Sequence, residues 1–268
     1  MDKEPTNSTP EIEQIQEKNL NFQEQIDLLK ELSKSLPENK RELFDKALNV
    51  LLTKIETLEE EKDTDDLTGL LRRNAFIKKF QESIEEIRIQ KKIFQERENK
   101  REGDENININ ENNTFYLFLD IDNFGQINKN YGENFGDMLL KDVADILKKM
   151  TRHSMTKISD LVARWGGEEM VITLFNIDKN NTIEKAEEIR AAIEAITQKY
   201  LDKPNLNISA SIGMSQHIEN STIDDTINKA DIAMRVAKKE RGKNNVVFYN
   251  ELTENQIIEI QKIIKEEK

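Results

Sequence analysis

Cysteine is absent from the 268 residues, and histidine occurs only twice, as His153 and His217. These absences exclude disulfides, thiolate zinc sites and cysteine nucleophiles, and two histidines so far apart do not make a histidine-rich metal centre. Basic side chains are in deficit as well: 40 Lys and Arg against 52 Asp and Glu give a formal net charge of -12. A protein that coats DNA or RNA needs a basic surface excess, so neither is expected as a partner. A polyphosphate ligand would have to be met by local lysines or by a bridging metal ion. No apolar run approaches the roughly eighteen residues of a membrane span. Residues 1–10 lack the basic start and apolar core of a signal peptide, and a cytoplasmic location is expected. Hydrophobic residues make up only 36% of the chain, so part of it must be solvated helix or loop.

What the chain does have is periodicity. Ile12, Ile15, Leu20, Phe22, Ile26, Leu29, Leu32 and Leu36 recur mostly at three- and four-residue spacings among polar residues. Pro37 breaks the run, and Leu43, Phe44, Ala47, Leu48, Leu51, Leu52, Ile55 and Leu58 resume it. Residues 1–62 therefore read as a helical hairpin or coiled-coil arm. Neither stripe can bury itself alone, so the arm must pair with itself, with the rest of the chain or with a second copy. From residue 63 the texture changes. Helices are predicted over 74–93, 136–150, 182–201 and 222–241. Strands are predicted at 114–121, at 206–217 with an interruption at Gly213, and at 245–249, with a hairpin formed by 161–164 and 170–175. Residues 95–113, nearly all charged or Asn, read as a flexible insertion, and 251–268 as a C-terminal amphipathic helix. The fold class is α+β: a domain over 63–250 whose central sheet contains antiparallel strands and is flanked by helices.

Two acidic clusters stand out. Asp120 and Asp122 end an otherwise apolar strand, TFYLFLDI, where a carboxylate is costly unless it is solvated, paired or metal-bound. Glu168 and Glu169 follow Gly166 and Gly167 in the hairpin turn, and the bare glycines leave room for a ligand to approach the backbone. If the strand lies beside the hairpin, Asp120 and Glu168 face each other at the sheet end. Oxygen ligands without histidine or thiolate suit Mg²⁺ or Mn²⁺ carrying substrate phosphates, which points to nucleotide phosphoryl transfer.

Five ordered blocks carry a resemblance: DDLTGLLRR at 65–73, FLDIDNFGQINKNYGENFGD at 118–137, RWGGEEM at 164–170, SIG at 211–213 and ADIAMRVAKKERGKN at 230–244. Together they resemble the GGDEF family of diguanylate cyclases. The resemblance implies a palm-like nucleotidyl cyclase domain that condenses two GTP into cyclic di-GMP when two copies meet head to tail, with residues 1–62 as the dimerisation arm or the contact for an upstream regulatory protein. It implies Asp120, Glu168 and the carbonyl of Ile121 as ligands of Mg²⁺ or Mn²⁺, and Glu169 as a further catalytic acid. It also implies Asn128 and Asp137 on guanine, Gly166 and Gly167 beside the nucleotide, and Lys238 or Lys239 together with Lys243 on phosphate.

The departures from the family pattern are specific. Gly125 stands where the family commonly has a phosphate-reaching lysine, Lys129 where it has Asp, Met170 where it has Phe, and Lys243 where it has Arg. Lys157 and Asp160 occupy the ends of the family's inhibitory Arg-x-x-Asp motif. Lysine lacks the planar fork that pairs with phosphate and stacks on guanine, so product feedback is expected to be weak or absent. The alternative to an active cyclase is a degenerate member that binds GTP or a protein partner without turnover.

Overall fold

The computed structural model describes residues 22–98, 113–152, 158–203, 205–218 and 221–266. His153, Lys157, the part of the arm before residue 22 and most of the 95–113 segment lie outside the described residues. The chain divides into two compact units, Met1–Glu61 and Lys62–Lys268.

In the first unit, helix α1 (Phe22–Lys34) is followed by α2 (Glu38–Asp63). The break falls at Pro37, whose carbonyl accepts from Lys40 N and Arg41 N. Arg41 reaches back to the carbonyls of Ser33, Lys34 and Leu36, satisfying acceptors that the end of a helix leaves orphaned. Ile26 and Leu48 are buried, whereas Leu43, Val50 and Leu51 of α2 are exposed.

The second unit is a six-stranded sheet in the order β1-β3-β4-β2-β5-β6. Its strands are β1 (Leu71–Arg72), β2 (Phe115–Ile121), β3 (Leu161–Gly166), β4 (Glu169–Leu174), β5 (Ala210–Gln216) and β6 (Val246–Phe248). Strand β2 is central and antiparallel to both β4 and β5, while β1–β3 and β5–β6 are parallel pairs. Every residue of β2 is buried, as its unbroken apolar run requires. Its side chains alternate between two cores. Phe115, Leu117, Leu119 and Ile121 pack in one cluster with residues of α5 (Glu133–Met150) and α6 (Lys179–Ala195). Tyr116 and Phe118 pack in the other with residues of α3 (Arg73–Glu98) and α7 (Ile223–Glu240). A C-terminal helix, α8 (Glu254–Glu266), buries Ile260 in a third cluster with Ile232, Val236 and Ala237 of α7.

The structure departs from the sequence pattern at several points. Helix α3 continues to Glu98, so the first residues assigned to the insertion are helical. A helix unmarked by periodicity, α4 (Phe124–Tyr131), follows β2. It buries only Phe124 and Ile127, too few residues to register as an apolar stripe. Gly213 does not interrupt β5 but lies at its middle. A Cβ there would stand 1.9 Å from the carbonyl oxygen of Ala230 and 2.2 Å from Met234 N. The glycine is what lets α7 lie directly on the strand. Gly213→Ala is expected to destabilise the domain by about 3 kcal/mol, since main chain rather than a mobile side chain must give way; chemical denaturation measures the loss.

Candidate active site

Strand pairing brings the acids together. Residue 120 of β2 is opposite Glu169 of β4 and Ser211 of β5, so two carboxylates project from directly paired positions. The register thus puts Glu169, rather than Glu168, opposite Asp120. Glu168 lies in the turn with Gly167, and Gly166 closes β3. Asp120 is 7% exposed. It continues the even-numbered face of β2 toward α7, where Lys238 Nζ lies 2.6 Å from its Oδ1. Burial pushes the Asp120 carboxyl above its ordinary range, the Lys238 ammonium opposes that, and Glu168 and Asp122 add to it. Glu169 is likewise pushed up, first by burial and then by Asp120 and by Asp231 of α7, while Arg235 pulls it down. Arg235 and Asp231 are themselves paired at 2.9 Å. This pair on the flank of the site escaped sequence reasoning, although the four-residue spacing on a predicted helix is the signal that could have found it.

The hairpin turn is braced from outside. Arg164 donates from Nε to the Gly167 carbonyl at 2.9 Å and from Nη1 to Asp65 Oδ1 at 3.1 Å. Asp65 also accepts from the amide and hydroxyl of Thr68, and burial, which would raise its carboxyl, is outweighed by these bonds and by Arg164, which hold it below the usual range. Arg73 lies 4.3 Å from the centre of the Trp165 ring, which packs edge-on to Phe76 and Phe118. The 65–73 block thus grips both sides of the RWGGEE turn, and Trp165 is a packing residue.

The remaining residues separate clearly. Asn128 of α4 is half-buried, and its side-chain carbonyl oxygen is buried without a hydrogen-bond partner. Directly beneath it is Gly136 of α5, where a Cβ would stand 1.8 Å from that oxygen. Asp137, the next residue, is exposed. Lys239 does not share the position of Lys238: it pairs with Glu259 of α8 at 2.5 Å. Lys243, in the loop after α7, donates to Asn123 Oδ1 at 2.5 Å, at the start of α4. Gly125, in the first turn of α4, has open space where a side chain would begin. Ile121 is fully buried by its side chain on the opposite face from Asp120, leaving its backbone at the sheet end. Asp160 is consumed within the fold. It accepts from Arg152 N, Nε and Nη2 and from Phe175 N, with its side chain 3% exposed.

The family description Diguanylate cyclase, GGDEF domain, matches residues 92–245, more than half of the chain. The chain belongs to the GGDEF family. Diguanylate cyclase A of Treponema denticola is 35% identical over 133 residues, which is 49% of this chain and 34% of that protein. Diguanylate cyclase DosC of Escherichia coli is 33% identical over 133 residues, 50% of this chain and 28% of that protein. The chain thus spans about a third of the length of these curated relatives. Among solved structures, the coiled coil and GGDEF domain of DgcB from Caulobacter crescentus aligns at a TM-score of 0.58 and 21% identity, covering 79% of this chain and all of that one. SiaD of Pseudomonas aeruginosa, solved in complex with its activator SiaC, aligns at 0.55 and 25% identity, covering 88% of this chain and 79% of that one.

The opposed acids make a prediction about stability. A carboxyl whose native pKa is raised favours folding while it is protonated, and loses that contribution as pH rises through the native value. Glu169→Gln removes the charge that is disfavoured at neutral pH. In EDTA at pH 7.5 it should melt a few degrees above the wild type, with the gap closing toward pH 4; calorimetry across that range checks the sign.

Proposed function

We propose that the protein is a diguanylate cyclase, condensing two GTP into cyclic di-GMP with release of two pyrophosphates. The observation that carries the reading is the in-register pair Asp120 and Glu169 with the Lys238 ammonium on Asp120, in a GGDEF sheet. Among the described residues no cage of three Asp, Glu, His or Cys side chains is preformed. The donor set of the reading is smaller: the Asp120 and Glu168 carboxylates and the Ile121 carbonyl, all oxygen, which fits Mg²⁺ or Mn²⁺ better than a thiophilic ion. The Lys238 ammonium 2.6 Å from Asp120 Oδ1 supports a site that favours positive charge. A divalent ion bound there neutralises phosphate charge and lowers the pKa of an attacking hydroxyl.

The chain's own groups divide the remaining work. Asn128 offers its unpartnered acceptor to a guanine N–H, and Asp137 supplies the second acceptor that guanine, unlike adenine, can use. Gly166 and Gly167 keep the turn clear of side-chain bulk. Lys238 and Lys243 neutralise the triphosphate, with Lys239 assigned instead to the α8 contact. The ribose 3′-hydroxyl of one GTP gives up its proton to solvent and attacks the α-phosphorus of the other; the new P–O bond forms as the bond to pyrophosphate breaks, and Glu169 lies opposite Asp120 at that sheet end. The second linkage closes by the same step with the roles of the two nucleotides exchanged.

One site holds one nucleotide, so turnover needs a homodimer. The exposed stripe of Leu43, Val50 and Leu51 on α2 supports residues 1–62 as the dimerisation or regulatory arm, and SiaD, solved with an activator, supports a protein input. The domain boundaries read as 1–62, 63–250 and 251–268, with 95–113 inserted. Asp160, spent on Arg152 and Phe175, supports weak product feedback.

Incubation of the purified protein with GTP and Mg²⁺, with products separated by chromatography, should yield cyclic di-GMP at a specific activity that rises with protein concentration. Glu169→Ala should abolish it, and ATP should not replace GTP. Absence of product at high protein concentration, with GTP still bound, would instead establish the non-catalytic alternative to which Gly125 points. Gly136→Ala presses on the terminal amide of Asn128 rather than on main chain and should leave stability within about 1 kcal/mol while displacing that side chain. The expected result is at least a tenfold rise in KM for GTP, read from initial rates.

A further inference from the structure

Asp122 is the one acid of the two clusters that the mechanism above does not use. It is fully buried. Its carboxylate accepts from the hydroxyls of Ser209 at 2.7 Å and Ser211 at 2.8 Å and from Asn244 N at 3.0 Å, all neutral donors. Its own amide donates to the Ser209 carbonyl at 2.9 Å. The residue therefore ties together the end of β2, the start of β5 and the loop after α7.

That loop is held in an unfavourable shape. Lys243 and Asn244 are consecutive non-glycine residues with φ of 68° and 50°, a left-handed conformation that persists only where its surroundings impose it. The Asp122 contact falls on the backbone N–H between them. Arg190 and Glu194 of α6 bind the Asn244 side chain at 2.8 and 2.9 Å, and Asn245 Nδ2 donates to the Lys243 carbonyl at 2.5 Å. On the other side, Asp122 directly precedes Asn123, which is also left-handed at φ 58° and whose Oδ1 accepts from Lys243 Nζ. Asp122 thus fixes both partners of the Lys243–Asn123 contact: Asn123 through the chain, and Lys243 through the neighbouring amide.

We propose that Asp122 is a positioning residue for nucleotide binding, setting the Lys243 ammonium at the start of α4 to receive phosphate. This rests on the reading of Lys243 as a phosphate ligand. The carboxylate is suited to the task because two oxygens can accept from all three donors at once. An amide in its place keeps the Ser209 and Asn244 bonds on its oxygen, while the Ser211 hydroxyl turns to accept from its nitrogen.

The test is calorimetric titration of the full chain with α,β-methylene-GTP and Mg²⁺, for the wild type, Asp122→Ala, Asp122→Asn, Lys243→Ala and the Asp122→Ala/Lys243→Ala double variant. Asp122→Ala and Lys243→Ala are each expected to weaken binding about tenfold, the double variant to be no weaker than the weaker single, and Asp122→Asn to recover most of the loss. Asp122→Ser, too short to reach Asn244, replaces the alanine variant if that one does not fold. Additive losses in the double variant, or wild-type affinity in Asp122→Ala alongside a loss in Lys243→Ala, overturn the positioning role alone. Wild-type affinity in Lys243→Ala overturns the phosphate reading of Lys243 and the inference with it.

Discussion

A carboxylate at the end of a strand buried on both faces must be met by an opposite charge or by a full set of hydrogen-bond donors. Asp120 is the next-to-last residue of β2, and its neutralising group comes from α7, so the placement of that helix governs the site. Gly213 sets it. Ala230 and Met234 of α7 approach the Gly213 backbone, and Lys238 continues the same helix face one turn further on. Four residues of helix advance about 6 Å, close to the length of two strand residues. Two residues along β5 from Gly213 is Ser211, the partner of Asp120. The matched repeats deliver Lys238 to Asp120, and the same helix carries Arg235 and Asp231 past Glu169.

Asp120 and Asp122 are two residues apart and look equivalent in the sequence. Both continue the even-numbered face of β2, yet their surroundings differ. Asp120 meets an ammonium and lies opposite a second acid. Asp122 meets two hydroxyls and a backbone amide, and its charge is absorbed in holding chain segments together. Which acid does which depends on what β5 and the loop after α7 present at each position. Those segments lie almost ninety residues away or more, as the separations of 87 to Ser209 and 122 to Asn244 measure.

The same distinction between local and distant causes sorts what the sequence made legible. The buried strand at 114–121, the antiparallel hairpin around GGEE and the long helices follow from local patterns, and each has its counterpart in the structure. So does the juxtaposition of the DxD and GGEE acids, except that the register opposes Asp120 to Glu169. Helix α4 was illegible because an eight-residue helix with two buried side chains has no stripe to detect. Lys238 could not be told from Lys239, since adjacent helical residues point in different directions and only the packing of α7 against β5 on one side and α8 on the other assigns them. Asp160 read as half of a ligand site. In the structure its carboxylate accepts from Arg152, which lies outside the motif.

Gly125 supplies no cation to the first turn of α4. Lys129, the nearest lysine along α4, is exposed in the last turn of that helix, four residues and about 6 Å along the axis from Gly125. Lys243 reaches the start of α4 from a different segment, at Asn123, two residues before the glycine. An ammonium on a long exposed stem must be immobilised when it meets phosphate, whereas one carried by a loop already locked in left-handed conformation has less freedom to lose. In a protein with a net charge of -12, a lysine held in advance at the helix start keeps positive charge from being spread over the surrounding acids. The Asn244 amide also ties this loop to the buried carboxylate of Asp122, so one loop carries both the left-handed strain and the lysine.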